Sequence, residues 1–355
     1  MTDDFPNRIM QNRRRSRRIV REEVMSGKSW LLGALAALSV SAAHAESGAD
    51  FYRGKTVTYI ISAGAGGGYD AYGRLVAEFM QRNLPGSTFV VRNMPGAGHL
   101  IGANALYASK PDGLTIGSFS TGLIYNQISR NSKVSFDLAK MSWIGKAASE
   151  PRVILIASQV PVNTYQEFMA QKTPLNFAAS GLGSASYLEM TMLVNTMRMP
   201  IRILTGYSGS ADQLAMRRGE IAGTIGSRSS VQQFVNNGYG RLIAQIGGTE
   251  KDVPQLSSFV TDKKALALIS LIQSQGDIAR LTAGPPGIPS DRLNALIETY
   301  KRAMNDKDLQ ARADKFGYPV DPAYGEEVLK IVKEALDQPE ETRALLVEAL
   351  KSAKD

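Results

Sequence analysis

The 355-residue chain is 43% hydrophobic with 33 glycines and 15 prolines, which fits two ordinary domains and excludes a collagen-like, coiled-coil or wholly disordered polymer. It has no cysteine and only two histidines, His44 and His99, so disulfides, thiol catalysis and histidine- or cysteine-rich zinc sites are excluded. Lys and Arg number 41 against 33 Asp and Glu, and the resulting charge of +8 invites a nucleic-acid or anionic-membrane partner.

The first 45 residues weaken that invitation. Residues 30–40 form an eleven-residue apolar run. A membrane-spanning helix needs about 20 residues, so the run suits the hydrophobic core of a secretory signal instead. Lys28 precedes it, and Ala43-His44-Ala45 supplies a small-x-small cleavage pattern that makes Glu46 the first residue of the exported protein. Met25 opens a complete signal start, Met-Ser-Gly-Lys-Ser-Trp, which leaves residues 1–24 as upstream sequence. The cluster Arg13, Arg14, Arg15, Arg17 and Arg18 is alternatively a basic arm or part of a twin-arginine signal. Eight of the 41 basic and four of the 33 acidic residues precede position 46, so the remainder carries +4 and one histidine. Nucleic-acid binding and histidine-dependent catalysis lose support together.

Beyond Glu46, short β-rich runs alternate with segments of helical period, a pattern of βαβ units and mostly parallel sheets. Strands are predicted at 57–61, 88–91 and 114–119. Between them, Tyr72, Leu75, Val76 and Phe79 share one helix face, and residues 101–108 form another helix. Strands at 143–147 and 153–157 bracket Ser149-Glu150-Pro151, read as a crossing between domains. The alternation restarts with helices at 164–171, 185–197 and 212–217 and strands at 175–178, 201–204 and 242–246. Further helix follows at 293–300 and within 328–350. The domains are therefore 46–147 with 247–355, and 148–246. Two crossings imply a cleft that opens by hinge bending, with ligands outside the carboxyl ends of the strands.

Two loops carry the chemistry. Ser62-Ala63-Gly64-Ala65-Gly66-Gly67-Gly68-Tyr69-Asp70 joins a strand to a helix, and a side-chain-poor turn there presents backbone N–H groups to an anion. A dinucleotide fingerprint fails, because Tyr69 replaces the third glycine and Arg92 ends the next strand where an acid belongs. Asp70 is either a first-turn helix cap or a ligand acceptor, and Tyr69 either walls the site or packs on the surface. The second loop is Arg92-Asn93-Met94-Pro95-Gly96-Ala97-Gly98-His99.

The order of the glycine loop with Asp70, the Asn93-x-Pro95-Gly96-Ala97-Gly98 loop, Ile101-Gly102 and Pro111-Asp112-Gly113-x-Thr115 resembles the solute-binding proteins of tripartite tricarboxylate transporters, the Bug-type family. Ser180-Gly181-x-Gly183-Ser184, Tyr207-x-Gly209 and Gly284-Pro285-Pro286-Gly287-Ile288-Pro289 extend the likeness over the chain after Glu46. The resemblance implies two Rossmann-like α/β lobes with a hinged cleft, the type II periplasmic-binding-protein architecture. It implies a monomeric, non-enzymatic periplasmic receptor that delivers a small carboxylate to transporter membrane subunits, without cofactor, metal or nucleic acid.

Carried over by motif, the first-lobe contacts are Gly66, Gly67, Gly68, Tyr69, Asp70, Ser120 and Thr121. The second-lobe contacts are Ser180, Gly181, Gly183, Ser184, Tyr187, Tyr207 and Gly209. Asn93, Pro95 and Gly96 shape a turn. His99 stands where the family has glycine and reads as a surface or loop residue, while Arg152, Arg202 and Arg228 read as solvated or structural cations. Tyr69 and Tyr187, with Ser62-Ala63 replacing a Pro-Phe pair, reshape the pocket. A ligand-dependent signal to a sensor kinase is the second reading. An exported enzyme is the third, and no Gly-x-Ser-x-Gly or His-Glu-x-x-His motif supports it.

Overall fold

The computed structural model describes residues 48–351, so the expected leader and its cleavage point lie outside the described residues. Alternation begins with β1 (Thr56–Ile61), α1 (Gly68–Arg82), β2 (Thr88–Asn93), α2 (Leu100–Tyr107), β3 (Thr115–Phe119), α3 (Gly122–Ile128) and β4 (Ser142–Ala148). In α1 the stripe Tyr72, Leu75, Val76, Phe79 and Met80 is buried, while Arg82 pairs with Glu78 at 2.7 Å on the outer face.

The chain then crosses through residues 149–151 into β5 (Arg152–Ala157), α4 (Tyr165–Met169), β6 (Leu175–Ala179), α5 (Ala185–Met197), β7 (Ile201–Thr205), α6 (Ala211–Arg217), β8 (Gly223–Ser227), α7 (Arg228–Asn236) and β9 (Gly240–Ile246). The last segment is α8 (Lys263–Gly276), β10 (Ala279–Gly284), α9 (Ser290–Met304), α10 (Lys307–Phe316), β11 (Ala323–Tyr324), α11 (Gly325–Leu336) and α12 (Glu340–Lys351). Helix α5 has the predicted bounds because its ends are chemically marked. Ser184 Oγ accepts from the Tyr187 N–H at 3.3 Å, and Arg198 closes the other end in a left-handed conformation, φ +55°.

Two sheets result, a six-stranded one in the order β11-β4-β10-β3-β1-β2 and a five-stranded one in the order β7-β6-β8-β5-β9. They are not mostly parallel. β10 runs antiparallel to β3 and β4, and β5 runs antiparallel to β8 and β9. The reason is the crossings: β5 and β10 enter their sheets from the opposite lobe, against the local βαβ direction. Both are buried along their whole length, as strands inserted in the middle of covered sheets must be. The segment after residue 246 also differs from a simple return to the first lobe, because α8 and α12 pack on α5. One apolar cluster runs from Phe119 and Trp143 of the first sheet to Ile154 and Phe177 of the second, so the lobes share core at the crossing.

Trp143 is 3% exposed, its Nε1 donates to Leu138 O at 2.9 Å, and its ring lies 5.6 Å from Phe119. It therefore belongs to the shared core and is poorly placed to report cleft closure. In protein lacking residues 1–45, where Trp143 is the sole tryptophan, its emission is expected to stay blue-shifted with or without ligand and to move red only on urea unfolding. A ligand-induced shift in native emission opposes this placement.

Candidate functional site

A cavity of about 720 Å³, counting its mouth, lies between the two sheets. Its first wall is the loop before α1 with the first residues of that helix: Ala63, Gly67, Gly68 and Tyr69, joined by His99 and Ser120. Its second wall comes from the start of α5 (Ser184, Ala185, Ser186), from Ser180, from Tyr207, Ser208 and Gly209, from Asp212 and Gln213 of α6, and from β8 and α7. First-turn N–H groups have no backbone partner within their own helix, so α1 and α5 bring donors and positive dipole ends to one space, whereas in α7 the Arg228 N–H donates to Pro151 O at 3.0 Å and the Ser229 N–H to Glu150 Oε2 at 3.2 Å.

Glycine is required where the lobes meet. A Cβ on Gly67 would stand 2.8 Å from Gly209 O, and one on Gly68 would stand 2.2 Å from Ser230 Oγ. Gly98, at φ +62°, faces Ser184, where a Cβ would come within 2.2 Å of the backbone nitrogen. Gly64 N–H donates to Ser208 Oγ at 2.9 Å, and Asn126 Nδ2 donates to Gly183 O at 2.7 Å. Backbone thus approaches backbone across the cleft, an arrangement that side chains would wedge apart.

The charged groups around the cavity are mostly committed. Arg152 lines it, yet Nε and Nη2 donate to Glu189 Oε2 at 2.8 and 2.5 Å, and Nη1 donates to Ser227 Oγ at 2.8 Å. Burial pushes the Glu189 carboxyl up and the Arg152 charge opposes that shift. Behind the wall, Arg280 Nε meets Glu150 Oε1 at 3.2 Å, and its guanidinium lies over the rings of Tyr69 and Tyr72 at 4.4 and 4.6 Å. Asp212 has no such partner. Its Oδ1 accepts from the Gln213 N–H at 2.8 Å, but burial outweighs this and pushes the carboxyl up to about 6.

Of the predicted contacts, Gly67, Gly68, Tyr69, Ser120, Ser180, Ser184, Tyr207 and Gly209 line the cavity. The others do not. Gly66 donates to Asp70 Oδ2 at 3.0 Å, and Asp70 also accepts from Arg74 Nε at 3.0 Å and Asn93 Nδ2 at 2.8 Å, which makes it the brace of the first loop. Burial acts to raise the Asp70 carboxyl, but these hydrogen bonds and the Arg74 charge together hold it below the usual carboxylate range. Thr121 is buried at the entry to α3, where its carbonyl accepts from Ile124 N–H at 3.0 Å. Gly181 and Gly183 face Ala97 and Gly98 in a neighbouring groove. Tyr187 packs on the core, one turn past the Ser184 cap.

His99 lies in the connection before α2, as a loop residue, but it is buried and not on the surface. It is 7% exposed with φ +80°, a left-handed conformation that favours glycine, and its Nδ1 lies 2.8 Å from Ser62 O. Burial holds the ring neutral. Arg152, Asp212, Gln213, Thr224, Ser227 and Ser230 were not among the predicted contacts. The serine cluster 227–230 ahead of Val231 and Phe234 is the sequence signal that marks the last of these.

Two α/β lobes around a backbone-rich cavity are the architecture of periplasmic solute-binding proteins. BugD, a periplasmic binding protein, superimposes with a TM-score of 0.71 at 22% identity, covering 84% of this chain and 98% of its own. MatC of Rhodopseudomonas palustris with bound malate does so with a TM-score of 0.68 at 20% identity, covering 82% and 99%. The sequence pattern of the TctC family, the tripartite tricarboxylate transporter family receptors, spans residues 73–341, and the chain belongs to that family. A UPF0065 protein from the gbd 5' region of Cupriavidus necator is 24% identical over 293 residues, 81% of this chain and 86% of the relative.

Asp70→Ala is expected to strand the Gly66 N–H and the Asn93 amide and to lower unfolding free energy at pH 7 by about 1–3 kcal/mol. Because the folded carboxyl titrates below its unfolded value of about 3.9, its contribution is complete above that pH and lost as pH falls through the folded value. Urea titrations at several pH values check both points. The difference between wild type and variant should shrink on acidification.

Proposed function

We propose that the protein captures a small carboxylate between its lobes, closes on it and hands it to the membrane subunits of a tripartite tricarboxylate-type transporter. The observation that carries this reading is the opposition of the N-terminal first turns of α1 and α5 across a cavity rich in glycines and hydroxyls. Hydrogen bonds to a charged group contribute roughly 1.5–3 kcal/mol each, so three or four of them sustain binding near micromolar once ordering is subtracted. The contacts are Gly67, Gly68, Tyr69 and Ser120 on one side and Ser180, Ser184, Tyr207 and Gly209 on the other. The structure of the similar MatC holds bound malate, which is consistent with this ligand class. Residues 149–151 act as a hinge between lobes built on 46–147 and 152–246, with β10 returning the chain to the first.

A panel of mono-, di- and tricarboxylates, amino acids and aromatic acids is expected to include at least one member that raises the melting temperature and reduces the radius of gyration in X-ray scattering. Folded protein that responds to none of them refutes the proposal. Cells lacking the protein should lose uptake of the same acid.

Gly67→Val places a branched side chain against Gly209 O at a position whose φ of −91° suits any residue. Affinity for the panel's ligand should fall at least about tenfold, because closure is blocked. The ligand-free melting temperature should move by less than about 4 °C. Calorimetric titration and thermal melts separate the two effects, and unchanged affinity would place the loop outside the site.

A further inference from the structure

The proposed carboxylate site also contains hydrogen-bond acceptors that no group of the protein fills. Asp212 lines the cavity and takes part in no ion pair among the described residues, and its one bond to another residue is the Gln213 N–H at Oδ1. Gln213 Nε2 donates to Ser230 O at 2.9 Å, which fixes the amide and leaves Oε1 as its remaining acceptor. Across the cleft, His99 is neutral, and since Ser62 O can only accept, Nδ1 carries the proton and Nε2 is left as a lone pair. Meanwhile Arg152, the one Lys or Arg among the described residues that line the cavity, donates from all three guanidinium nitrogens to Glu189 and Ser227.

A ligand carrying only carboxylates matches half of this inventory. One carboxylate satisfies the first-turn amides, but a second would meet Asp212 and find no free cation. A ligand with one carboxylate and one charged nitrogen meets both halves, since an ammonium donates three hydrogen bonds and brings the positive charge that Asp212 lacks.

Resting on the carboxylate reading, we infer that the ligand is a zwitterion, an amino acid or an amino-substituted acid, whose ammonium group is read by Asp212 with Gln213 and His99 beside it. Specificity then comes from the second lobe's α6 rather than from the glycine loop, which sees only the carboxylate.

Calorimetry with matched pairs tests this: aspartate against succinate, glutamate against glutarate, and γ-aminobutyrate against butyrate. In at least one pair the amino member should bind about tenfold tighter or more, the effect of one added charge-assisted hydrogen bond. Asp212→Asn keeps an oxygen for the Gln213 N–H and should bring the two members of that pair within about threefold of each other. Asp212→Ser, a second helix-capping side chain, should do the same if the Asn variant folds poorly. Succinate, glutarate or butyrate binding as well as its amino partner in every pair overturns the inference while leaving the carboxylate reading intact. An unchanged amino preference in both variants also overturns it. If no acid of either kind binds folded protein, both fall.

Discussion

Glu150 and Arg280 sit where the chain must pass between lobes, one in the β4–β5 crossing and the other at the start of β10, and both are almost completely buried. The carboxylate is filled from several sides: Arg280 Nε and Ser229 Oγ reach Oε1, and Ser229 N–H reaches Oε2. Removing one partner of a buried pair costs about 3–5 kcal/mol, because the other charge is left without compensation. The pair therefore holds the crossing, the return strand and the start of α7 in one arrangement. Arg280 also presses on Tyr69 in the first turn of α1, so the same contact positions a helix end on each side of the cavity. Its φ of +58° is a conformation that residues with a Cβ avoid at roughly 1–2 kcal/mol, held here by partners on the crossing, α7 and α1.

Once the lobes are registered in this way, part of the cavity has to be made of backbone. Gly67 against Gly209 and Gly98 against Ser184 leave no room for side chains at those contacts, so amides, carbonyls and short hydroxyls face a ligand there. Such donors are fixed by the helices that carry them and need little ordering when a ligand arrives, so more of the interaction energy is retained as affinity.

The parts legible in the sequence were those with local signatures. Ser184 before the apolar face of α5 and the glycines before α1 announce helix starts, and Ser184, Gly67 and Gly68 line the cavity. Tyr187 follows the cavity-lining Ala185 and Ser186 in sequence, but its side chain packs against the core instead. Strand β8 was invisible for a tertiary reason. Gly223 cannot be larger, since a Cβ there would come within 2.3 Å of Leu155 O, so the strand lacks the β-branched pattern that reveals the others. With β8 unseen, Thr224, Ser227 and Ser230 had no place to belong. Strand β10 was unseen too, and the direction of β5 was hidden, because nothing in a local pattern tells which lobe a strand enters from.

The same distinction applies to charge. A total of +8 describes the surface and the leader, but the potential inside the cavity is set by which charges are already paired. Arg152 and Arg280 are cations by sequence, yet each is tied to a buried glutamate and offers little net charge to a ligand. Asp212 is one acid among 33 acidic residues, and it stands on the cavity wall without an ion-pair partner among the described residues. Desolvation makes that single carboxylate count for more than the surplus of exposed lysines and arginines, whose fields are screened within about 8–10 Å at ordinary ionic strength. The sign of a protein's net charge thus carries no information about the sign of group its binding cavity prefers, and here helix ends and one uncompensated acid decide it.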